Sequence, residues 1–261
     1  MIKIVLIGAS GIVGQSIYKS LNKIEGINII EITSENYKDY ENIYCDVLIN
    51  ANGESRKSWC NQNPKDSLIK NCLSIYEYIK RFVPKRYILI SSVDVYNNTS
   101  SEETTSEDTI IDSSKLSIYG MHKYFTELII RQQYENHLII RLSAVISNDI
   151  YKNVLFDLTR RESIYISPSS ELNFIGGNSI GKFIKTNLFS SKYKVINLAS
   201  TKSIKVDEII KILNLEKEYI NCLSLPTEKY IINTDRLKSL INLESSKDYV
   251  LEYLHNQNII S

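Results

Sequence analysis

Two short patterns in this chain bring together groups that can do chemistry. The first is Tyr119-Gly120-Met121-His122-Lys123, a tyrosine and a lysine four residues apart, which face the same way on a helix. Converting a carbonyl to an alcohol requires a hydride and a proton for the developing alkoxide. A phenol can give that proton if its pKa, about 10 when unperturbed, is brought toward neutrality, and a nearby ammonium does this. Lys123 can also hold the ribose hydroxyls beside a nicotinamide, and a serine hydroxyl can polarise the carbonyl oxygen. The spacing alone is common, since Tyr76 and Lys80 share it. Context separates the two pairs: Tyr119 follows a strand ending Ile90-Ser91-Ser92-Val93-Asp94-Val95-Tyr96 and then a polar loop, whereas Tyr76 has no such partner upstream.

The second pattern is Gly8-Ala9-Ser10-Gly11-Ile12-Val13-Gly14, three glycines at three-residue spacing between a strand and a helix. Gly8 suits a tight turn, Gly11 lets the backbone approach a pyrophosphate, and Gly14 lets the helix pack closely on the strand. Backbone N–H groups, including those of Ser10, Ile12 and Val13, and the helix dipole then face the anion. In such folds the residue about 20 positions further on contacts the adenosine ribose. That region reads Glu31-Ile32-Thr33-Ser34-Glu35, and Thr33 and Ser34 lean toward the 2′-phosphorylated cofactor, NADP(H) over NAD(H).

The elements that must position these groups are legible as an alternation. Apolar, β-branched runs at 2–7, 27–32, 47–50, 87–90, 138–142 and 195–198 are separated by segments of helical period at 12–23, 67–82, 118–134 and 206–213. The expected fold is α/β, a Rossmann-type doubly wound parallel sheet. In the helix after the polar loop, Leu116, Tyr119, Met121, Phe125, Leu128 and Ile129 form the apolar set. From about residue 147 the elements become shorter. A dinucleotide-binding core over 1–147 and a small substrate-capping lobe within 148–261 are therefore expected, in one integrated domain.

Composition narrows the classes further. Among 261 residues, 43% are hydrophobic and 23% charged, as in ordinary folded globular proteins, and the net charge of +1 lacks the basic excess of a nucleic-acid binder. The four cysteines lie apart, without metal-ligand or disulfide spacing. The apolar run at the start is shorter than a secretory core, and no stretch reaches membrane-spanning length, so a cytoplasmic protein with no membrane or nucleic-acid partner is expected.

Taken together, Gly8 to Gly14, Val47-Leu48-Ile49-Asn50-Ala51-Asn52-Gly53, Ile90 to Tyr96, Tyr119 to Lys123 and Arg141-Leu142-Ser143-Ala144-Val145 occur in the order in which the extended short-chain dehydrogenase/reductase family carries them. The chain resembles that family, the nucleotide-sugar epimerases, dehydratases and reductases, over residues 2 to about 145. The resemblance implies Ser92, Tyr119 and Lys123 as catalytic residues. It also implies Ala51, Asn52 and Gly53 beside the nicotinamide half of the cofactor, a sugar nucleotide or sugar phosphate as substrate, and a homodimer built on the helices at 67–82 and 118–134.

Three departures shape the functional expectation. Val93 follows Ser92 where the family's dehydratases have an acidic residue, which disfavours dehydration. Ala144 stands where many members have an asparagine that grips the substrate. The stretch between Thr33 and Asp46 has room for only one short element. The leading expectation is an NAD(P)H-dependent reductase of a keto group on a nucleotide-activated or phosphorylated sugar, in surface polysaccharide biosynthesis of the capsule or lipopolysaccharide type. A nucleotide-sugar epimerase or dehydrogenase and a non-catalytic dinucleotide-binding sensor are the alternatives. Arg56, with Lys57 beside it, is a candidate receiver of a substrate phosphate, while His122, Trp59 and the Arg160-Arg161 pair have bland packing or solvation readings.

Overall fold

The computed structural model describes residues 1–150, 152–190, 192–216, 218–219, 222 and 224–260. Strand β1 (Ile2–Ile7) runs through the Gly8 turn into helix α1 (Ile12–Leu21), followed by β2 (Ile27–Ile32) and β3 (Ile43–Asn50). Only a 3-10 turn at Tyr37–Asp39 separates β2 from β3, in keeping with the short stretch available there. Next come α2 (Lys57–Gln62), α3 (Pro64–Leu68), a π-helical segment at Ile69–Leu73 and α4 (Ser74–Arg81). Strand β4 (Phe82–Ser92), helix α5 (Ile118–Gln133) and β5 (His137–Leu142) complete the first part of the chain. The remainder forms β6 (Ala144–Ile146), α6 (Val154–Thr159), β7 (Glu171–Leu172), β8 (Phe174–Gly176), α7 (Gly177–Asn187) and β9 (Val195–Leu198). It ends with β10 (Ile204–Lys205), α8 (Val206–Ile212), α9 (Asp235–Lys238) and α10 (Ser246–Asn256).

Six strands form one sheet in the order β2-β1-β3-β4-β5-β9, and every neighbouring pair in it is parallel. This is the expected Rossmann-type doubly wound sheet. The alternation of side chains along each strand builds two cores. Ile4, Leu6, Val47, Ile49, Ile88 and Ile90 face the side covered by α1, α7, α8 and α10, while Val5, Ile7, Leu48, Tyr87 and Leu89 face the side of α4 and α5. The strand order reverses between β1 and β3, so a crevice opens above their carboxyl ends, where such folds take their ligands.

Four elements differ from the sequence expectation. Strand β3 starts at Ile43 and β4 at Phe82, because pairing continues through Pro84, Lys85 and Arg86 (Cys45 opposite Pro84, Val47 opposite Arg86), where the apolar run is interrupted. The helix expected over 67–82 is broken by the π-helical segment. Helix α5 is the fourth. Its buried residues are Tyr119, Gly120, His122, Lys123, Thr126, Glu127 and Ile130, whereas Leu128 is 44% exposed. The apolar set that suggested the inward face therefore lies partly outside, and the inward face is largely polar.

Candidate active site

The glycine turn is shaped for close approach. Gly8 has a φ of +77°, and a Cβ there would come within 2.8 Å of the Ala51 and Asn52 backbone across the crevice. A Cβ on Gly14 would lie 2.1 Å from the Gly8 carbonyl oxygen, so α1 can begin this close to the turn only with glycine at that position. Gly11 caps α1 with no side chain bonded to the first-turn N–H groups, and its own Cβ would meet only the Gly8 oxygen, at 3.4 Å. An uncapped helix start with free space in front of it is what a pyrophosphate requires. Ser10 and Gly11 are exposed there, and Ile12 and Val13 form the first helical turn.

The remaining candidates for cofactor contact surround the same crevice. Thr33 follows the end of β2, whose Ile32 carbonyl accepts from Gly8 N–H at 2.9 Å. The Thr33 amide donates to Asn36 Oδ1 at 2.8 Å, and Ser34 is exposed beside it. Ala51 N–H donates to the Ile7 carbonyl at 2.9 Å, while the Asn52 side chain turns outward to Ser74 and Lys70 on the neighbouring helical segments. Asn71, in the π-helical segment, clasps the loop after Gly53 from both sides: its Oδ1 accepts from Glu54 N–H at 2.7 Å and its Nδ2 donates to the Glu54 carbonyl at 3.0 Å. These residues fit a dinucleotide laid across the sheet.

Ser92 ends β4, and Tyr119 and Lys123 sit on consecutive turns at the start of α5, whose first turn is capped by Ser117 Oγ accepting from Gly120 N–H at 3.1 Å. Gly120 packs against the turn after Ser92, where a Cβ would lie 2.1 Å from the Asp94 carbonyl oxygen. Lys123 is 5% exposed and donates to the Ile90 carbonyl at 2.7 Å. Burial brings its pKa down to about 8, against the pull of Glu127. Tyr119 is pushed well above the usual phenol range, first by burial and then by the Asp94 carboxylate, while hydrogen bonding to Ser92 and the Lys57 ammonium work the other way. Lys57 is thus a cation acting on Tyr119 that the sequence pattern did not assign to it.

Ser92, Tyr119, Lys123, Gly11, Ile12, Val13, Ala51, Asn52, Gly53 and Arg56 all line one cleft of about 830 Å³. Gly8, Gly14, Thr33 and Ser34 are not part of its lining, and Ser10 borders a smaller neighbouring cavity of about 410 Å³. Arg56 stands at the mouth with its guanidinium bidentate on Glu54 (3.0 and 2.7 Å), which takes that carboxyl down to about 2. Trp59 lies under Arg56 and Lys70, whose Nζ is 4.6 Å from its ring centroid. His122 is buried, with Nδ1 2.9 Å from Ser67 Oγ, and burial lowers its pKa. It packs rather than acts.

Among the lining residues that the sequence pattern did not mark, Asp94, Tyr230 and Ser143 carry polar groups of note. Asp94 accepts from Ser92 Oγ at 2.9 Å, and Tyr230 donates to Asp94 at 2.8 Å from a distant, irregular part of the chain. Ser143, 6% exposed just after β5, has a hydroxyl with no hydrogen-bond partner and faces the cleft beside Ala144. Asp94 was legible as part of the Ser92 motif, but nothing near Tyr230 in the sequence signals its place.

The parallel sheet with its strand-order reversal, the uncapped glycine turn and a Ser-Tyr-Lys set in one cleft define a dinucleotide-binding oxidoreductase fold. The family model described as NAD dependent epimerase/dehydratase family matches residues 4–161. The chain belongs to that family, and with it to the NAD(P)-dependent oxidoreductases that use a nicotinamide dinucleotide. None of the curated proteins matches the sequence. Solved structures with the same fold include a dTDP-4-dehydrorhamnose reductase from Clostridium acetobutylicum (15% identity, TM-score 0.76, covering 98% of this chain and 100% of that one). They also include the Bacillus anthracis dTDP-4-dehydrorhamnose reductase in complex with NADP (14% identity, TM-score 0.74, 98% and 99%). A third is the Bacillus cereus UDP-glucuronic acid 4-epimerase in complex with UDP-glucuronic acid and NAD (17% identity, TM-score 0.75, 98% and 100%). Among the described residues no helix is long and apolar enough to cross a membrane.

Proposed function

We propose that this protein is an NADPH-preferring reductase of a keto group on a nucleotide-activated or phosphorylated sugar, acting in the cytoplasm in surface polysaccharide biosynthesis. The observation that carries this reading is the meeting of Ser92, Tyr119 and Lys123 with the glycine turn in one cleft. A nicotinamide dinucleotide bound there supplies the hydride. Gly8, Ser10, Gly11, Ile12, Val13 and Gly14 hold its pyrophosphate, Thr33 and Ser34 meet the adenosine ribose, and Ala51, Asn52 and Gly53 flank the nicotinamide half. Tyr119 gives its phenolic proton to the developing alkoxide, Ser92 orients the carbonyl oxygen, and Lys123 holds the ribose. Arg56 at the mouth meets a substrate phosphate by exchanging part of its contact with Glu54. The lobe within 148–261 closes over the sugar as part of one integrated domain. Two chains pair through the π-helical segment with α4 and through α5, where Ile69, Leu73, Tyr76 and Leu128 leave apolar surface exposed.

The deciding experiment is titration of the purified protein with NADPH and NADH, following nicotinamide fluorescence, for wild type and Gly11→Val. Micromolar NADPH binding, lost in the variant while its melting temperature is kept, is the expected result. Tight NADH preference, or NAD carried through purification, points to the epimerase or dehydrogenase reading. Absence of binding to either overturns the enzyme reading and leaves a scaffold protein.

A further inference from the structure

A charge pair stands beside the reacting groups. Lys57 enters at the start of α2, and its ammonium lies 2.6 Å from Asp94 Oδ1, which also accepts from the Tyr230 hydroxyl at 2.8 Å. Lys57 itself donates to Tyr230. The other carboxylate oxygen accepts from Ser92 Oγ at 2.9 Å, and the Asp94 N–H returns a bond to the same Oγ at 3.2 Å. Both carboxylate oxygens are therefore engaged, and three segments far apart in the chain converge on one group. Asp94 is also held from behind by the close approach of Gly120, the residue after Tyr119.

This placement is costly. Taking a carboxylate and an ammonium partly out of water is repaid only by good geometry, and a pair with a purely structural duty has no need to sit in the cleft. Lys57 keeps 40% of its side chain exposed and Asp94 keeps 15%, so the pair is at the cleft wall, not in a core. Its neighbours are the phenol and hydroxyl of the reacting centre. We propose that Asp94, pinned by Lys57 and Tyr230, is a positioning residue: it fixes the Ser92 hydroxyl and holds a carboxylate in the cleft wall that Tyr119 shares. This rests on reading the cleft as that of a reductase, in which each turnover moves one proton from Tyr119 to the alkoxide and one from solvent back to Tyr119.

The ionisable groups facing Tyr119 set the direction of the effect. Asp94 and Cys60 favour the neutral phenol, Lys57 favours the phenolate, and the Ser92 hydrogen bond assists Lys57. Tyr230 shares the Asp94 oxygen, Glu228 lines the same wall, and Lys123, one turn along α5, is turned to the Ile90 carbonyl. Removing the Asp94 charge should ease Tyr119 ionisation, and removing Lys57 should hinder it. Removing both should come close to cancelling.

The test compares wild type with Asp94→Asn, Lys57→Met, the double variant and Lys57→Arg, using protein carrying 13Cζ-labelled tyrosine. The Tyr119 resonance is assigned by its loss in Tyr119→Phe and followed against pH with NADPH bound. Asp94→Asn should bring Tyr119 ionisation down by about 1 pH unit or more, a tenfold change in proton affinity. Lys57→Met should move it up, the double variant should return near wild type, and Lys57→Arg should leave it in place. In parallel, the alkaline limb of kcat/KM for NADPH-dependent reduction of dTDP-4-dehydrorhamnose should move down by the same amount in Asp94→Asn. A Tyr119 titration indifferent to Asp94→Asn, in a variant with unchanged melting, overturns the proposal whether or not turnover occurs. A shifted resonance without reduction of the probe keeps the positioning role and counts against that keto sugar as substrate.

Discussion

Helices α1 and α5 flank the same cleft from opposite sides of the sheet and obey different rules. The residues that α1 buries are Gly14, Ile17 and Leu21, an apolar stripe of the kind amphipathic patterning predicts. Helix α5 instead buries His122, Lys123, Thr126 and Glu127 and leaves Leu128 half in water. Each buried polar group of α5 has a partner. Thr126 Oγ1 donates to the Asn71 carbonyl at 2.7 Å, Glu127 takes Arg141 at 2.8 Å and Ser91 at 2.7 Å, and Lys123 and His122 are bonded as described above. Without those partners the burial would be prohibitive. Helix α1 offers a ligand only its backbone, so its side chains are free to serve stability. Helix α5 offers side chains, and its stability depends on matching them.

The contrast can be broken or sharpened by substitution. The largest effect is expected at the backbone-only helix: Gly14→Ala forces a Cβ into the Gly8 carbonyl and should cost about 3 kcal/mol of stability or more, read by urea unfolding. Unchanged stability would mean that α1 does not need the close approach. At the side-chain helix the balance runs the other way. Lys123→Met keeps volume and removes a buried ammonium, so it should leave stability at pH 7 equal or raise it by about 1 kcal/mol while abolishing turnover. Its pH signature is specific. The folded-state pKa of Lys123, about 8, is below the ordinary lysine value, so between those two values the unfolded chain binds a proton that the folded one does not. Wild-type stability relative to Lys123→Met should therefore rise as pH climbs from about 8 toward 10, as read by chemical denaturation at each pH. A flat difference would show that Lys123 is not desolvated. The smallest effect is at the outer face, where Leu128→Glu should change monomer stability by less than about 0.5 kcal/mol yet shift a dimer toward monomer in sedimentation. No change in mass would remove α5 from the proposed pairing surface.

How far the sequence could be read follows the same division. All six strands of the main sheet and the phosphate turn were legible, because apolar runs and glycines between strand and helix reflect local backbone physics. The inward face of α5 was not, since counting apolar residues assigns Phe125 and Leu128 to the core when polar groups with distant partners occupy it. Spacing and context sufficed to mark Tyr119 and Lys123, which line the cleft, but Lys57 and Tyr230 enter through contacts across the chain, and no local pattern encodes that Lys57 meets Asp94. The ends of β3 and β4 were missed where Pro84, Lys85 and Arg86 interrupt the apolar signal while the ladder continues.

The π-helical segment at Ile69–Leu73 carries one residue more than regular α-helical winding would hold between the same ends, and it is this surplus that aims Asn71 at the loop after Gly53. Loss of a single residue there would rewind the segment and swing the side chains on one side of it by about 100° relative to those on the other. Asn71 would then leave Glu54 with no side chain altered. Along this wall of the cleft the quantity that matters is the count of residues, so insertion and deletion reach it in a way that exchanging one amino acid for another does not.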